Sequence, residues 1–234
     1  MDAKAIARMI DISAVKTESS INDINRMVHA AKHFQFLCAF SMPWYTKRLI
    51  ELLSDEKDIM VGGTVGFPSG ADTTSTKLAA AKEFLEMGVD EIDMVINVAA
   101  LKSGFYDEVY NDVRSVVELA GKTPVKCILE IAYLADDEIR RGSEIAARAG
   151  VTFVKTGTGW GPKPTTVDTI KLIKSEIGDT AKIKAAGGVK DLKTLLEMEK
   201  AGASRFGIGI NSAISIMKEV YDASGIAWDF VDKQ

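Results

Sequence analysis

Val151-Thr-Phe-Val-Lys-Thr-Gly-Thr-Gly-Trp160 runs four apolar or β-branched residues into a lysine and then into a glycine-rich turn. Such a run reads as a short buried strand ending at Lys155. An ammonium loses its hydration on burial, so a lysine closing a buried strand is pushed toward the neutral amine, which is a nucleophile. A lysine that merely clears the strand end would be an ordinary solvated cation. A second stretch, Ala181-Lys-Ile-Lys-Ala-Ala-Gly-Gly-Val189, repeats the pattern one strand-plus-helix unit further on, with Lys184 before its glycine turn. If the two strands are parallel neighbours, both amines emerge side by side at the same end of the sheet. Two close ammonium groups repel, and one gives up its proton near neutral pH, which activates a Schiff-base lysine.

The same unit recurs on either side. Apolar runs at Arg8–Ser13, Phe34–Phe40, Asp58–Gly63, Glu91–Ile96 and Pro124–Glu130 precede the two lysine strands, and Ser204–Ile208 follows them. Amphipathic segments alternate with them: one opening near Ser20, one after Pro43, then 73–87, 105–120, 136–149, 166–177, 192–201 and 213–221. Strands alternating with helices of this length give a parallel sheet, and eight such units without a linker predict a single (β/α)8 TIM barrel over residues 1–234. The structural competitor is an open doubly wound sheet.

Barrels of this kind work at the carboxyl ends of their strands. Asp11 ends the first run, Asp93 interrupts the fourth, and Glu130 closes the fifth with Lys126 on the same side-chain parity. A barrel centre holding carboxylates and amines together is a proton-transfer site. Gly187-Gly188 and Gly207-Ile-Gly209 follow the last two strands, where barrels commonly hold phosphate on backbone N–H groups, Gly157 and Gly159 extend that theme from the sixth turn, and Thr158 between them is a further substrate-binding candidate. A sugar phosphate is the ligand these turns suggest.

The chain has 234 residues, a formal charge of −4 and 47% hydrophobic residues, the composition of one soluble domain with a full-sized core. No basic block offers a surface for nucleic acid, and no apolar run is long enough to span a membrane. The first residues do not form a signal peptide, and Cys38 and Cys127 read as isolated reduced thiols, so the cytoplasm is the expected compartment. His29 and His33 stand four apart on a predicted outer helix without a third ligand nearby, so no metal centre is expected.

The segments Phe153-Val-Lys-Thr-Gly-Thr-Gly159, Lys184-Ala-Ala-Gly-Gly-Val189, Gly63-Thr-Val-Gly-Phe-Pro-Ser-Gly70 and Glu91-Ile-Asp-Met-Val-Ile-Asn97 resemble, in order and spacing, those of the deoxyribose-phosphate aldolases. The resemblance runs from about Asp11 to Ala213. It implies a lyase on a TIM barrel, a class I aldolase that needs no metal or other cofactor and reversibly cleaves 2-deoxyribose 5-phosphate to glyceraldehyde 3-phosphate and acetaldehyde. It implies Lys155 as the Schiff-base lysine, Lys184 as the residue depressing its pKa, and Asp93 as a proton-transfer group acting through water. Asp11 and Cys38 match pocket-lining positions of that family. The first strand reads Asp11-Ile-Ser13 where the family has Asp-His-Thr. The last reads Gly207-Ile-Gly-Ile-Asn211 where it has a serine-rich run, leaving phosphate to the amides of Gly187, Gly188 and Gly209. Alternatives are the same chemistry on another or unphosphorylated aldehyde, an isomerase using acid and base alone, and a non-catalytic sugar-phosphate-binding barrel. The family's C-terminal tyrosine has no counterpart after Tyr221, and Trp228 and Phe230 are expected to pack against the barrel. The partner is a small molecule, and a homodimer through outer helices is the expected assembly.

Overall fold

The computed structural model describes residues 2–232, and eight parallel strands close on themselves in sequence order. The elements are α1 (Ala3–Ala7), β1 (Ile10–Ala14), α2 (Ile21–Phe34), β2 (Cys38–Ser41), α3 (Pro43–Leu53), β3 (Met60–Val65), α4 (Thr74–Met87), β4 (Glu91–Val95), α5 (Val98–Lys102), α6 (Tyr106–Ala120), β5 (Val125–Ile128), α7 (Asp136–Ala149), β6 (Phe153–Lys155), α8 (Val167–Ile177), β7 (Lys182–Ala186), α9 (Leu192–Lys200), β8 (Ala203–Gly209) and α10 (Ile210–Ser224). The open-sheet alternative is excluded by the pairing of β1 with β8, which places Asp11 beside Gly207.

The helices start where side chains satisfy their first free N–H groups. Ser20 and Asp23 form a reciprocal capping box at α2, and Thr73, Thr166 and Asp191 cap α4, α8 and α9. Gly88 and Gly150 end α4 and α7 in the left-handed conformation that a residue without Cβ adopts freely.

Alternation along the strands sorts the side chains into two layers. Ile10, Ile12, Ile92, Met94, Val125, Cys127, Val154, Ile183 and Ala185 point outward and join the apolar core between strands and helices. Their neighbours Asp11, Glu91, Asp93, Lys126, Lys155 and Lys184 are buried, yet they face the barrel axis, where branched aliphatic residues commonly fill such folds. The outer layer carries one buried ion pair of its own. Lys77 of α4 donates to Asp112 of α6 at 2.6 Å and to the Val95 carbonyl at 3.0 Å.

Some boundaries differ from the sequence expectation. Phe34 belongs to α2, which Gln35 ends with φ 56°, so the aromatic content of residues 34–36 serves packing and β2 begins only at Cys38. The last helix begins at Ile210 directly after Gly209, three residues ahead of the expected Ala213. The short helix α5 and a 3-10 turn at Ile131–Tyr133 were not anticipated, because each spans too few residues to set up a periodic pattern.

Candidate active site

Adjacent strands bring the charged inner residues into register: Asp93 beside Lys126, and Lys155 beside Lys184, which pairs in turn with Arg205. Their side chains form a closed ring of alternating charge. Asp11 meets Lys184 at 2.7 Å, Lys184 meets Asp93 at 2.8 Å, and Asp93 meets Lys126 at 3.1 Å. Lys126 meets Glu91, Glu91 meets Arg205 at 2.7 Å, and Arg205 returns to Asp11 at 2.9 Å. Each cation in the ring has two carboxylate partners, so three cations neutralise three anions.

Lys155 is the fourth cation and stands outside that balance. Its Nζ donates to Asp93 Oδ2 at 2.7 Å, its one carboxylate partner among the described residues, and that oxygen also serves Lys184. Burial lowers its pKa most, Asp93 opposes that, and Lys184 and Lys126 lower it further, leaving it at about 8. Desolvation is thus the largest cause, ahead of the neighbouring lysine. Burial works against charge on Asp93, yet Lys126, Lys155 and Lys184 outweigh it and hold this carboxyl well below the usual carboxylate range. Asp11 is likewise lowered, with Lys184 and Arg205 overcoming its burial.

The Phe40 ring lies 4.2 Å from Lys184 Nζ and 5.9 Å from Lys155 Nζ, covering the ammonium groups with an aromatic face. Gly62 makes room for it, since a Cβ there would lie 2.0 Å from the ring. Above Lys155 lies a small chamber of about 30 Å³, also lined by Asp11, Thr64, Phe67 and Thr158. The buried Thr64 hydroxyl has no protein hydrogen-bond partner. Through Ser13, Val15 and Thr158 the chamber meets a larger cavity of about 400 Å³. Gly159, Gly187, Gly188 and Gly209 line that cavity, together with the cations Lys16, Arg26 and Lys190. Gly187 and Gly188 both have positive φ, and a Cβ on Gly188 would lie 2.5 Å from Pro164.

The structure thus brings together Lys155, Lys184 and Asp11 at the chamber, with Asp93 buried behind them and bonded to both lysines, and Thr158, Gly159, Gly187, Gly188 and Gly209 at the larger cavity. Cys38 departs from its expected pocket position. It is fully buried at the start of β2, beside Asp11 in the register, and it does not join the lining of the chamber. Glu130 does not pair with Lys126 either. Its φ of 57° breaks the strand alternation and turns the carboxylate to the Thr158 N–H at 3.2 Å and to the Thr158 hydroxyl. Lys182 is exposed at the start of β7.

Sequence reasoning missed Glu91 and Arg205. Glu91 shares the parity of Asp93, and Arg205 stands beside Lys184 once the barrel is assumed, so parity carried a signal for both. It also missed Trp160 as a bridge: its indole N–H donates to the Val15 carbonyl at 2.8 Å, and its ring meets Phe67 edge-on at 6.1 Å.

One group of possible metal ligands occurs among the described residues: Asp11, Cys38 and Glu91, with atoms within 4.8 Å of one another. Arg205 already occupies both carboxylates, and burial, with Asp11 and Glu91 close by, raises the Cys38 thiol well above its ordinary pKa. This donor set is filled by protein cations and does not suit an added one. His29 and His33 instead contact the segment after α10, through the Val231 carbonyl at 2.9 Å and Asp229 at 3.1 Å. Phe230 is buried against both imidazoles and Phe34, and Trp228 packs on Phe34 and Tyr221. No helix among the described residues is long and apolar enough to cross a membrane.

The chain is 41% identical to the deoxyribose-phosphate aldolase of Sinorhizobium medicae over 228 residues, covering 97% of this chain and 92% of that protein. Among solved structures it resembles QR15, an aldolase, with a TM-score of 0.87 and 34% identity over 94% of this chain and 97% of that one. It also resembles the deoxyribose phosphate aldolase of Aeropyrum pernix, described as having a unique tetrameric structure, with a TM-score of 0.86 and 27% identity over 95% and 93% of the two chains. The model of the DeoC/LacD family aldolases matches residues 1–215. With a family match of that extent on a closed barrel whose axis holds Lys155 beside Lys184 and Asp93, this chain belongs to the DeoC/LacD aldolase family.

Proposed function

We propose that the chain is a single-domain class I aldolase that reversibly cleaves 2-deoxyribose 5-phosphate, using Lys155 as the Schiff-base nucleophile. The observation that carries this reading is the position of Lys155 outside a self-neutralised ring, in a buried chamber, with its pKa lowered to about 8. Its free amine adds to the substrate aldehyde carbon, and loss of water gives a protonated imine. That cation accepts the electron pair of the C2–C3 bond as the C3 hydroxyl loses its proton, and glyceraldehyde 3-phosphate departs. The remaining enamine takes a proton on carbon, and water returns Lys155 and releases acetaldehyde.

Asp93, bonded to both Lys155 and Lys184, is the group suited to shuttle these protons, directly or through a water. The Thr64 hydroxyl is free to bind a substrate oxygen in the chamber. Gly187, Gly188 and Gly209 would present N–H groups to the phosphate, with Lys16 and Lys190 nearby. Asp11 would hold Lys184 in place through its carboxylate.

The test is borohydride reduction in the presence of 2-deoxyribose 5-phosphate, followed by peptide mass analysis, alongside an acetaldehyde-release assay. A substrate-derived mass on Lys155, and its loss together with cleavage in Lys155→Ala, are the expected results. Cleavage without any trapped adduct would point to acid–base chemistry with no imine.

A further inference from the structure

The larger cavity extends past the glycine turns to α2, and there its wall includes a guanidinium already engaged elsewhere. Arg26 directs Nε and one terminal nitrogen to the two oxygens of Asp232, at 2.7 and 2.6 Å, in a bidentate pair. Its other terminal nitrogen donates to Asn211 Oδ1 at 2.7 Å. Asn211 lies in the first turn of α10, whose N-cap Gly209 also borders the cavity, so the guanidinium is one hydrogen bond from the end of a helix that attracts anions. Of the residues of that turn that border the cavity, Ser212 carries the one hydroxyl.

Resting on the function proposed above, we propose that Arg26 is a specificity-determining residue for the anionic end of the substrate, and that Asp232 is its built-in competitor. The phosphate takes over guanidinium donors that the Asp232 carboxylate occupies when the cavity is empty. The chemistry favours such an exchange. A phosphate carries more charge than a carboxylate and presents oxygens to the same planar fork. The displaced carboxylate is not buried, its side chain being 28% exposed, so it returns to water at little cost. The exchange keeps Arg26 paired in both states, whereas an unpaired cation would attract anions indiscriminately. The segment carrying Asp232 is fixed separately, through Phe230 on His29 and His33, so the carboxylate can leave while its anchor stays.

The test compares Arg26→Gln, Asp232→Asn and the double variant with the unaltered protein. Inorganic phosphate is titrated by calorimetry, and kcat and KM are measured on 2-deoxyribose 5-phosphate and on 2-deoxyribose. Loss of one charge-assisted donor set should raise the phosphate Kd and the KM for the phosphorylated sugar by about tenfold or more in Arg26→Gln. Constants for 2-deoxyribose should stay put. Asp232→Asn should tighten phosphate binding several-fold, and the double variant should behave like Arg26→Gln, since a competitor without its target has no effect. Unchanged phosphate affinity in Arg26→Gln, or weaker affinity in Asp232→Asn, would make the pair a simple anchor and overturn the proposal. Should Arg26→Gln fail to fold, Arg26→Lys keeps the charge but loses the fork, and an unchanged phosphate Kd there would count against it equally. If the unaltered protein releases acetaldehyde from neither sugar, the proposed function falls, while the phosphate titrations still decide the role of Arg26.

Discussion

Lys155 and Lys184 donate to one and the same oxygen of Asp93, at 2.7 and 2.8 Å. Two ammonium groups converging on a single oxygen cannot both be well compensated. Lys184 has Asp11 as a second partner and Lys155 has no second carboxylate among the described residues, so the arrangement itself selects which amine is released. The strands enforce this selection, because Lys155 and Lys184 are direct neighbours in the register of β6 and β7.

The rate of imine formation should therefore rise with pH through about 8, as Lys155 loses its proton. Lys184→Leu removes a nearby positive charge and should move that limb to higher pH. Arg205→Leu should move it the same way from a distance, because the ring then holds one carboxylate too many and a charged Lys155 restores neutrality. A pH–rate profile of single-turnover trapping measures both shifts, and an unmoved limb in the two variants would refute the charge-balance account. The same lowered pKa bears on stability. Below about 8 the buried charge opposes folding, and between about 8 and the ordinary 10.5 the unfolded chain keeps a proton that the folded one has released, so this penalty is relieved as pH rises through that window.

Asp93→Asn should act in the opposite sense on the nucleophile. The carboxylate raises the Lys155 pKa, so its removal should shift the limb toward acid while kcat falls about 10²–10⁴-fold for lack of a proton carrier. Lys126 and Lys184 would each lose one of their two anions, and a urea melt should register a loss of about 3–5 kcal/mol.

Glu130 holds Thr158 by its backbone N–H and its hydroxyl, and Thr158 lines both cavities. Glu130→Gln keeps the shape but replaces a charged acceptor by a neutral amide. A rise in KM of about tenfold, with the pH limb unmoved, is the expected result. A displaced limb would assign Glu130 to proton transfer.

The pair between Lys77 and Asp112 lies among the outer helices, away from the chemistry. Lys77→Met should cost about 3–5 kcal/mol in denaturant unfolding, because Asp112 is left charged and buried. Adding Asp112→Leu should restore much of that loss, and kcat should be unaffected throughout.

How far the sequence reaches depends on the range of the interaction. The barrel, with Lys155 and Lys184 at one end of adjacent strands, follows from local periodicity and strand-end position, and both are written in short stretches of chain. The partner of each charge is set by neighbours across the barrel. Arg205 reads as an ordinary polar strand residue until β8 closes on β1 and brings it to Asp11. Glu130 shows the complementary limit: its parity pointed to Lys126, and one positive φ sent it to Thr158. Arg26 and Asp232 lie far apart in the chain, and the docking of the segment after α10 on α2, through Phe230, Val231 and Asp229, joins them.

The closed circuit from Asp11 through Lys184, Asp93, Lys126, Glu91 and Arg205 also constrains how this molecule can drift over generations. Any lone replacement within it strands an opposite charge in a dry interior, so viable histories should pass through paired exchanges of sign or through wholesale neutralisation of two adjoining members. Hybrids that take β4 from one homologue and β8 from another would then fail or succeed according to whether the two halves of the circuit still match.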